Sequence, residues 1–410
     1  MDILPILSTL RRHKLTAWLL ILEIALTCAI VCNAVFLIGQ RLQRMDMPSG
    51  VAEHELLQIQ VADVVKNGNP YARVQEDLAV LRQVPGVQSV AFSNQVPFGA
   101  SSSNGNVLLD PNQPQRTLNA TTYFGENLVP TMGTRLVAGR DLRPDDFVDV
   151  DTALKGLRNG DSKSLPHVTL ITRTLAERLW PGQNPLGRLI YLTPTVGLRV
   201  VGVLASLVRP NAYDAATAQY TMVIPLRMGA DKGMSYVIRT LPQDRARVLA
   251  ASLAALKKAD PQRVVTTQRT FDEVRRRFFR DDRAMAGMLV GVIAALLIVT
   301  ALGIVGLASF WVAQRRRTIG VRRALGATRA NILHYFQTEN FVLATLGIAL
   351  GMVLAYGINL FLMTHYELPR LPAVYFPVGA VALWLIGQLA VLGPALRAAA
   401  VPPVVATRSV

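Results

Sequence analysis

Side chains able to do covalent or metal chemistry are sparse in this sequence and lie far apart. The five histidines, His13, His54, His167, His334 and His365, show no spacing at which imidazoles would share a metal ion. Cys28 and Cys32 are the only cysteines, and a four-residue separation inside an apolar run favours packing over ligation. No Gly-x-Ser-x-Gly elbow presents a nucleophile. The nearest approach to a phosphate-binding loop is Gly156–Ser164, GLRNGDSKS. Its second glycine comes one residue early and Lys163 one late for backbone amides to wrap a phosphate chain. No catalytic residue, metal ligand or cofactor site is therefore expected.

What remains is charge set against an apolar background. Arg315, Arg316, Arg317, Arg322, Arg323 and Arg329 crowd into one short segment. Guanidinium groups in such a cluster can meet partner carboxylates in bidentate fashion, or simply mark the cytoplasmic end of a membrane helix. Glu23 is the single charge between Leu15 and Ile38. A carboxylate at that depth costs on the order of 2–3 kcal/mol on insertion scales. It reads as an inter-helix hydrogen bond, as a substrate-facing polar spot, or as a protonated or snorkelling side chain.

The elements that position these groups follow from composition. Of 410 residues 51% are hydrophobic and only 17% charged, against about 25% charged in soluble domains. Mean hydropathy is +0.32, and 43 basic against 27 acidic residues leave a net charge of +16. A nucleic-acid binder or a disordered scaffold fits poorly; a membrane protein fits well. Crossing a bilayer takes about 20 apolar residues, and four spans qualify, at 15–40, 284–314, 338–363 and 374–396. The first is too long for a signal-peptide core and lacks a small-x-small cleavage site. Residues 1–14 before it, with Ile3, Leu4, Ile6, Leu7 and Leu10, read as an interfacial amphipathic helix. Basic residues before span one, between spans two and three, and in the tail 397–410 put both termini inside and the segment 41–282 outside. Arg275, Arg276, Arg277, Arg280 and Arg283 break the pattern, which a long translocated domain permits. Arg275, Arg276 and Arg277 read as a solvated face or as contacts to lipid phosphates. Span two holds 31 residues without a charge, roughly 46 Å of helix, so it tilts or extends outward as a stalk.

The external domain lacks cysteine and must fold without disulfides. Its two ends, 55–115 and 226–270, each read strand–helix–strand, which predicts a split βαβ subdomain built from both ends of the segment. The insert, 116–225, reads as short strands with one helix, and Asp141–Ser164 as an irregular loop. Within the spans, Gly287-x-x-x-Gly291 and Gly347-x-x-x-Gly351 permit close helix approach, either inside the chain or to a second copy.

Several strings then carry a resemblance. Arg315–Thr328 reads RRRTIGVRRALGAT and runs into RANILHYFQTENF. Val137–Asp146 reads VAGRDLRPDD, Leu175–Gly187 reads LAERLWPGQNPLG, VVGVL follows at Val200–Leu204, and the chain closes with GPALRAAAVPPVVATR before its last two residues. In this order, with one span before the domain and three after, they resemble the periplasmic core domain and FtsX-like permease domain of MacB-type ABC transporters. The resemblance implies an α-helical membrane protein with four transmembrane helices and a large α+β periplasmic domain inserted between the first and second. It implies residence in the bacterial cytoplasmic (inner) membrane.

The same resemblance implies a permease subunit rather than an enzyme. Its partners would be a dimer of cytoplasmic ABC ATPase subunits, a second permease copy or a non-identical sister permease, and a periplasmic adaptor in some systems. No nucleic acid is implied. ATP and Mg would be held by the ATPase, since no Walker motif occurs in these residues. The 315–335 loop would hold the coupling element, a helix at about Thr318–Leu333. Arg317, Thr318, Ile319, Gly320, Arg322, Arg323, Leu325, Gly326, Ala327 and Thr328 form its contact string. ATP-driven closure would pass along the spans to the external domain, for export or extraction of a hydrophobic or peptide-like substrate. Alternatives within the family are a signalling module that activates a cell-wall hydrolase and a lipoprotein-release permease. One departure stands out: the family usually carries an acidic residue where this chain has Thr318, as if a sister permease supplied that charge.

Overall fold

The computed structural model describes residues 14–62, 69–100, 102–230, 234–366 and 370–400. Residues 1–13 of the expected interfacial helix, and the tail beyond Ala400, lie outside the described residues. The chain divides into two compact units, Asp46–Arg280 and the combination of Met1–Met45 with Asp281–Val410.

After α1 (Lys14–Met45), the chain forms β1 (Leu56–Ala62), α2 (Pro70–Arg82) and β2 (Val87–Ser93). Next come β3 (Asn104–Val107), β4 (Leu118–Phe124), α3 (Leu128–Met132), β5 (Leu136–Gly139), β6 (Val148–Asp149) and α4 (Val150–Asn159). Then β7 (Val168–Thr172), α5 (Arg173–Leu179), β8 (Leu189–Thr193), β9 (Val196–Leu204), β10 (Thr221–Ile224) and β11 (Leu226–Arg227) follow. The unit closes with β12 (Ser235–Thr240), α6 (Arg245–Ala259), β13 (Val264–Thr270) and α7 (Phe271–Phe278). The rest is helical: α8 (Arg280–Gln314), α9 (Arg316–Ala324), α10 (Arg329–Tyr366) and α11 (Tyr375–Ala399).

Two sheets build the Asp46–Arg280 unit. The first runs β13-β1-β12-β2, with every neighbouring pair antiparallel. Each strand–helix–strand unit therefore leaves a gap of one strand, and the other unit's strand fills it. One face is covered by α2 and α6, where Val74, Leu78 and Leu81 meet Val248, Leu256 and the inward strand residues Leu57, Ile59 and Ile238. Pro70 opens α2 at a position needing no amide donor, and the Asn69 side chain accepts from the Tyr71 amide at 3.0 Å. Under α2, the buried Asp77 carboxylate accepts from both the Arg263 guanidinium and the Tyr236 hydroxyl. The pair tolerates burial because each charge has its partner.

The second sheet is mixed, in the order β3-β4-β10-β7-β9-β5 with β8 paired to β9. Its core gathers Ile171, Val200, Val203 and Met222 against Leu175, Leu179 and Trp180 of the α5 region. Two expectations change here. Asp141–Ser164 is not an irregular loop, since it contains β6 and α4. Ala153 of α4 is buried in a small cluster with Leu165 and Val196, and Gly160 ends the helix at φ 70°. The surrounding Asp, Lys and Arg residues mask that narrow stripe in the sequence. Nor is Arg275 a solvated charge. It pairs with Glu53, donates to the Met47 carbonyl at 2.8 Å, and lies over the Phe98 and Phe279 rings at 5.0 and 5.5 Å.

The helical unit contains the four apolar helices expected from hydropathy, α1, α8, α10 and α11, each long and apolar enough to cross a membrane. α1 is its most buried helix and packs chiefly on α10. A Cβ on Gly347 would stand 2.8 Å from the Ile24 side chain, and one on Gly351 only 2.6 Å from the Ala25 carbonyl. That glycine pair thus serves packing within the chain. Gly287 and Gly291 do not, for among the described residues nothing lies within 4 Å of either Cβ position. They share the α8 surface with exposed Met288, Val292, Ile298 and Leu302.

Candidate coupling site at the α8–α9–α10 turn

The arginine-rich segment folds as two helices, and the single helix expected at about Thr318–Leu333 is broken after Ala324. The break is local chemistry. Gly326 adopts φ 98°, a left-handed conformation that a residue with a Cβ enters at a cost. The Gly326 amide donates to the Arg323 carbonyl at 3.2 Å and the Ala327 amide to the Arg322 carbonyl at 3.0 Å. This paired closure satisfies the last carbonyls of α9. Thr328 then starts α10, its hydroxyl accepting from the Asn331 amide at 3.2 Å.

On its inner side, α9 rests on the ends of its neighbours. Ile319 and Gly320 are buried, and Ile319 joins Val312 of α8, Ile332 and Phe336 of α10, and Ala395, Ala398 and Ala399 of α11. Arg323 donates to the Ala399 carbonyl at 3.0 Å and so braces α9 against α11. Arg315 reaches Glu339 with both carboxylate oxygens at 3.1 and 2.9 Å, and the Glu339 side chain is only 2% exposed. Its guanidinium also lies over the Trp311 ring at 5.6 Å.

The outer side is different. Arg317, Val321 and Leu325 are exposed, Leu325 by 83%. An apolar side chain offered that fully at a helix end is a ready contact for another surface. Between α9 and α10 opens a pocket of about 510 Å³ lined by Thr318, Arg322, Asn331 and Tyr335, over a floor of Ile319, Ile332 and Phe336. Arg322 leans into it with its guanidinium over the Tyr335 ring at 5.2 Å. It makes no ion pair among the described residues.

Glu23 lies elsewhere, on α1 against α8. A Cβ on Gly303 would stand 2.7 Å from both Glu23 carboxylate oxygens, so the glycine makes room for the acid. One turn further, the Thr27 and Thr300 hydroxyls are hydrogen-bonded at 2.9 Å. The Glu23 Oε1 atom is buried without a hydrogen-bond partner among the described residues. The same two helices are tied beyond this seam by Asp282, which pairs with Arg41 at 2.6 Å and Arg44 at 3.4 Å. Among the described residues no group of three His, Cys, Asp or Glu side chains is disposed to hold a metal ion. Glu339, Tyr335 and Trp311 were missed as site residues. The signal for Glu339 was present, as a lone acid at the mouth of the third span facing a surplus of arginines.

Two family models match the chain. The MacB-like periplasmic core domain matches over residues 19–265, more than half of the whole, and the FtsX-like permease C-terminal matches over 290–403. The chain belongs to the MacB/FtsX-type ABC transporter permeases. Among relatives of this permease, an uncharacterised ABC transporter permease of Bacillus subtilis, YknZ, is 24% identical over 98% of the chain and 97% of its own length. The macrolide export ATP-binding/permease protein MacB of Acinetobacter baylyi is 25% identical over 77% of the chain. The pyoverdine export ATP-binding/permease protein PvdT of Pseudomonas aeruginosa is 29% identical over 61%. The permease spans only 48% of that MacB and 38% of PvdT.

Proposed function

We propose that this permease is the membrane subunit of an exporter driven by an ATPase on a separate polypeptide, and that α9 is where the two meet. The observation that carries this reading is the division of α9 into a braced inner side and an offered outer side. Arg315–Glu339, Arg323–Ala399 and the Ile319 contacts fix the helix to α8, α10 and α11 at once. A displacement of α9 is therefore a displacement of the helix ends, rather than of a loose loop. Arg317, Val321 and Leu325 are left to touch a partner. ATP and Mg would sit in that partner. Its stroke would pass through α8, the stretch of chain leading back to the Asp46–Arg280 unit, and so move a periplasmic domain. With both termini cytoplasmic, α9 faces the cytoplasm and that unit the periplasm.

The match to YknZ along nearly all of both chains supports a permease of this organisation, and the export that MacB and PvdT are named for favours export of a hydrophobic or peptide-like substrate. The outward glycine pair Gly287 and Gly291, on an α8 surface rich in exposed apolar residues, suits close approach by a second permease. The direct test is co-purification from native membranes through a tag on this chain. Wild type should bring down a nucleotide-hydrolysing protein, and Leu325→Asp should retain at least about tenfold less, as expected for loss of a central apolar anchor. Equal retention by Leu325→Asp, or a wild type that never recruits a nucleotide hydrolase, overturns the reading.

A further inference from the structure

The pocket between α9 and α10 opens beside the Arg317, Val321 and Leu325 positions, none of which lines it, and its chemistry is distinct. Among the described residues its one cation without an ionic partner is Arg322, since Arg315 beside it is neutralised by Glu339. Among the described residues no acidic side chain lines the pocket. Around Arg322 stand the Thr318 hydroxyl, one turn earlier on α9, and on α10 the Asn331 side-chain amide and the Tyr335 hydroxyl. Each is a neutral hydrogen-bond donor, and no bond from any of these three groups to another described residue competes for it. Below them Ile332 and Phe336 are 6% and 4% exposed, so the floor is apolar.

An anion with an apolar arm fits this arrangement better than a bare inorganic anion, which would leave the floor dry and unmatched. Depth selects among such anions. α8 ends its apolar course at Gln314, and in the sequence the apolar course of α10 sets in at about residue 338, so the pocket sits immediately beyond two apolar runs. That is the level of phospholipid phosphates, where basic pockets between helices bind anionic headgroups. We propose that the α9–α10 pocket binds the phosphate diester of an anionic phospholipid. Arg322, Thr318, Asn331 and Tyr335 hold the headgroup, and Ile332 with Phe336 receives the start of an acyl chain. The bound lipid then fills the space behind α9 and holds the helix off α10. The proposal depends on α8 and α10 being membrane helices, not on the ATPase.

The test is native mass spectrometry of the full chain in neutral detergent with equal phosphatidylglycerol and phosphatidylcholine. Wild type should retain phosphatidylglycerol preferentially. Arg322→Gln should lower that preference about fivefold, the effect of one surface arginine on an anionic lipid. Thr318→Glu, which adds a carboxylate to the pocket without removing the arginine, should lower it at least as far. Arg317→Gln, on the outer side of α9, should leave it unchanged. Thermal unfolding of each variant checks that it is folded. Absence of preference in wild type, or wild-type preference in both pocket variants, overturns the proposal. Equal loss in Arg317→Gln would mean diffuse attraction rather than a site. Displacement by inorganic phosphate, but not by chloride at the same ionic strength, would assign the pocket to free phosphate. If Arg322→Gln keeps the lipid and loses the ATPase, the arginine belongs to the protein interface and the proposal fails.

Discussion

At the scale of the residue, arginines that look alike in sequence do three different things. Arg315 is bound to a buried carboxylate, Arg323 to a backbone carbonyl, and Arg322 to an aromatic ring beside an open pocket. Sequence could not separate them, because a run of arginines satisfies the charge bias of a cytoplasmic loop whichever partner each one finds. Glu339, the residue that distinguishes Arg315, lies 24 positions away; it stands out in the sequence as a lone acid, but which arginine it takes is set only by the folded turn. Breaking a largely buried pair strands the other charge, at a cost of about 3–5 kcal/mol. Glu339→Gln should therefore lower the unfolding temperature of the helical unit clearly. Arg317→Gln, exposed and outside that pair, should stay within roughly 0.5 kcal/mol of wild type. Thermal melts of the two variants in the same detergent decide the point, and equal melting would mean that the Arg315–Glu339 pair contributes nothing.

At the scale of the element, two identical glycine motifs have opposite surroundings. The spacing of Gly287 and Gly291 is that of Gly347 and Gly351, and only the second pair meets another helix of the same chain. A motif encodes the possibility of close approach, not the neighbour that uses it. Gly351→Leu would drive a side chain into the Ala25 backbone, whose carbonyl lies 2.6 Å from the Cβ position. Overpacking of this kind costs typically about 1–3 kcal/mol and more where backbone must move, so the variant should accumulate poorly in membranes. At Gly287 no described residue lies within 4 Å of the Cβ position, so Gly287→Leu should accumulate normally. Quantifying both in isolated membranes tests the contrast, and equal abundance would contradict it. The break between α9 and α10 was more legible, since Gly326 and Thr328 are standard stop and start residues. The family resemblance of the whole string obscured it by suggesting one continuous coupling helix.

At the scale of the whole molecule, the features carried by long periodic segments were readable in advance. Hydropathy alone located four apolar helices, because nothing but a bilayer or a large core tolerates such runs. The paired strand–helix–strand patterns stood out because β1 to β2 and β12 to β13 each combine a two-residue and a 3.6-residue period. The strand order of the second sheet was not readable. Its parallel pairs join β4 to β10 and β7 to β9, segments separated by long connections with no local signal of pairing. The account as a whole requires α9 and the Asp46–Arg280 unit to stand on opposite faces of the membrane. A membrane-impermeant thiol reagent tests this, since native Cys28 and Cys32 are buried and contribute little background. With single cysteines introduced by Leu325→Cys on α9 and Leu157→Cys on α4, both exposed positions, cells with a permeabilised outer membrane should label only the Leu157→Cys protein. The Leu325→Cys protein should label only after the inner membrane is broken. Labelling of both from the same side would contradict the account.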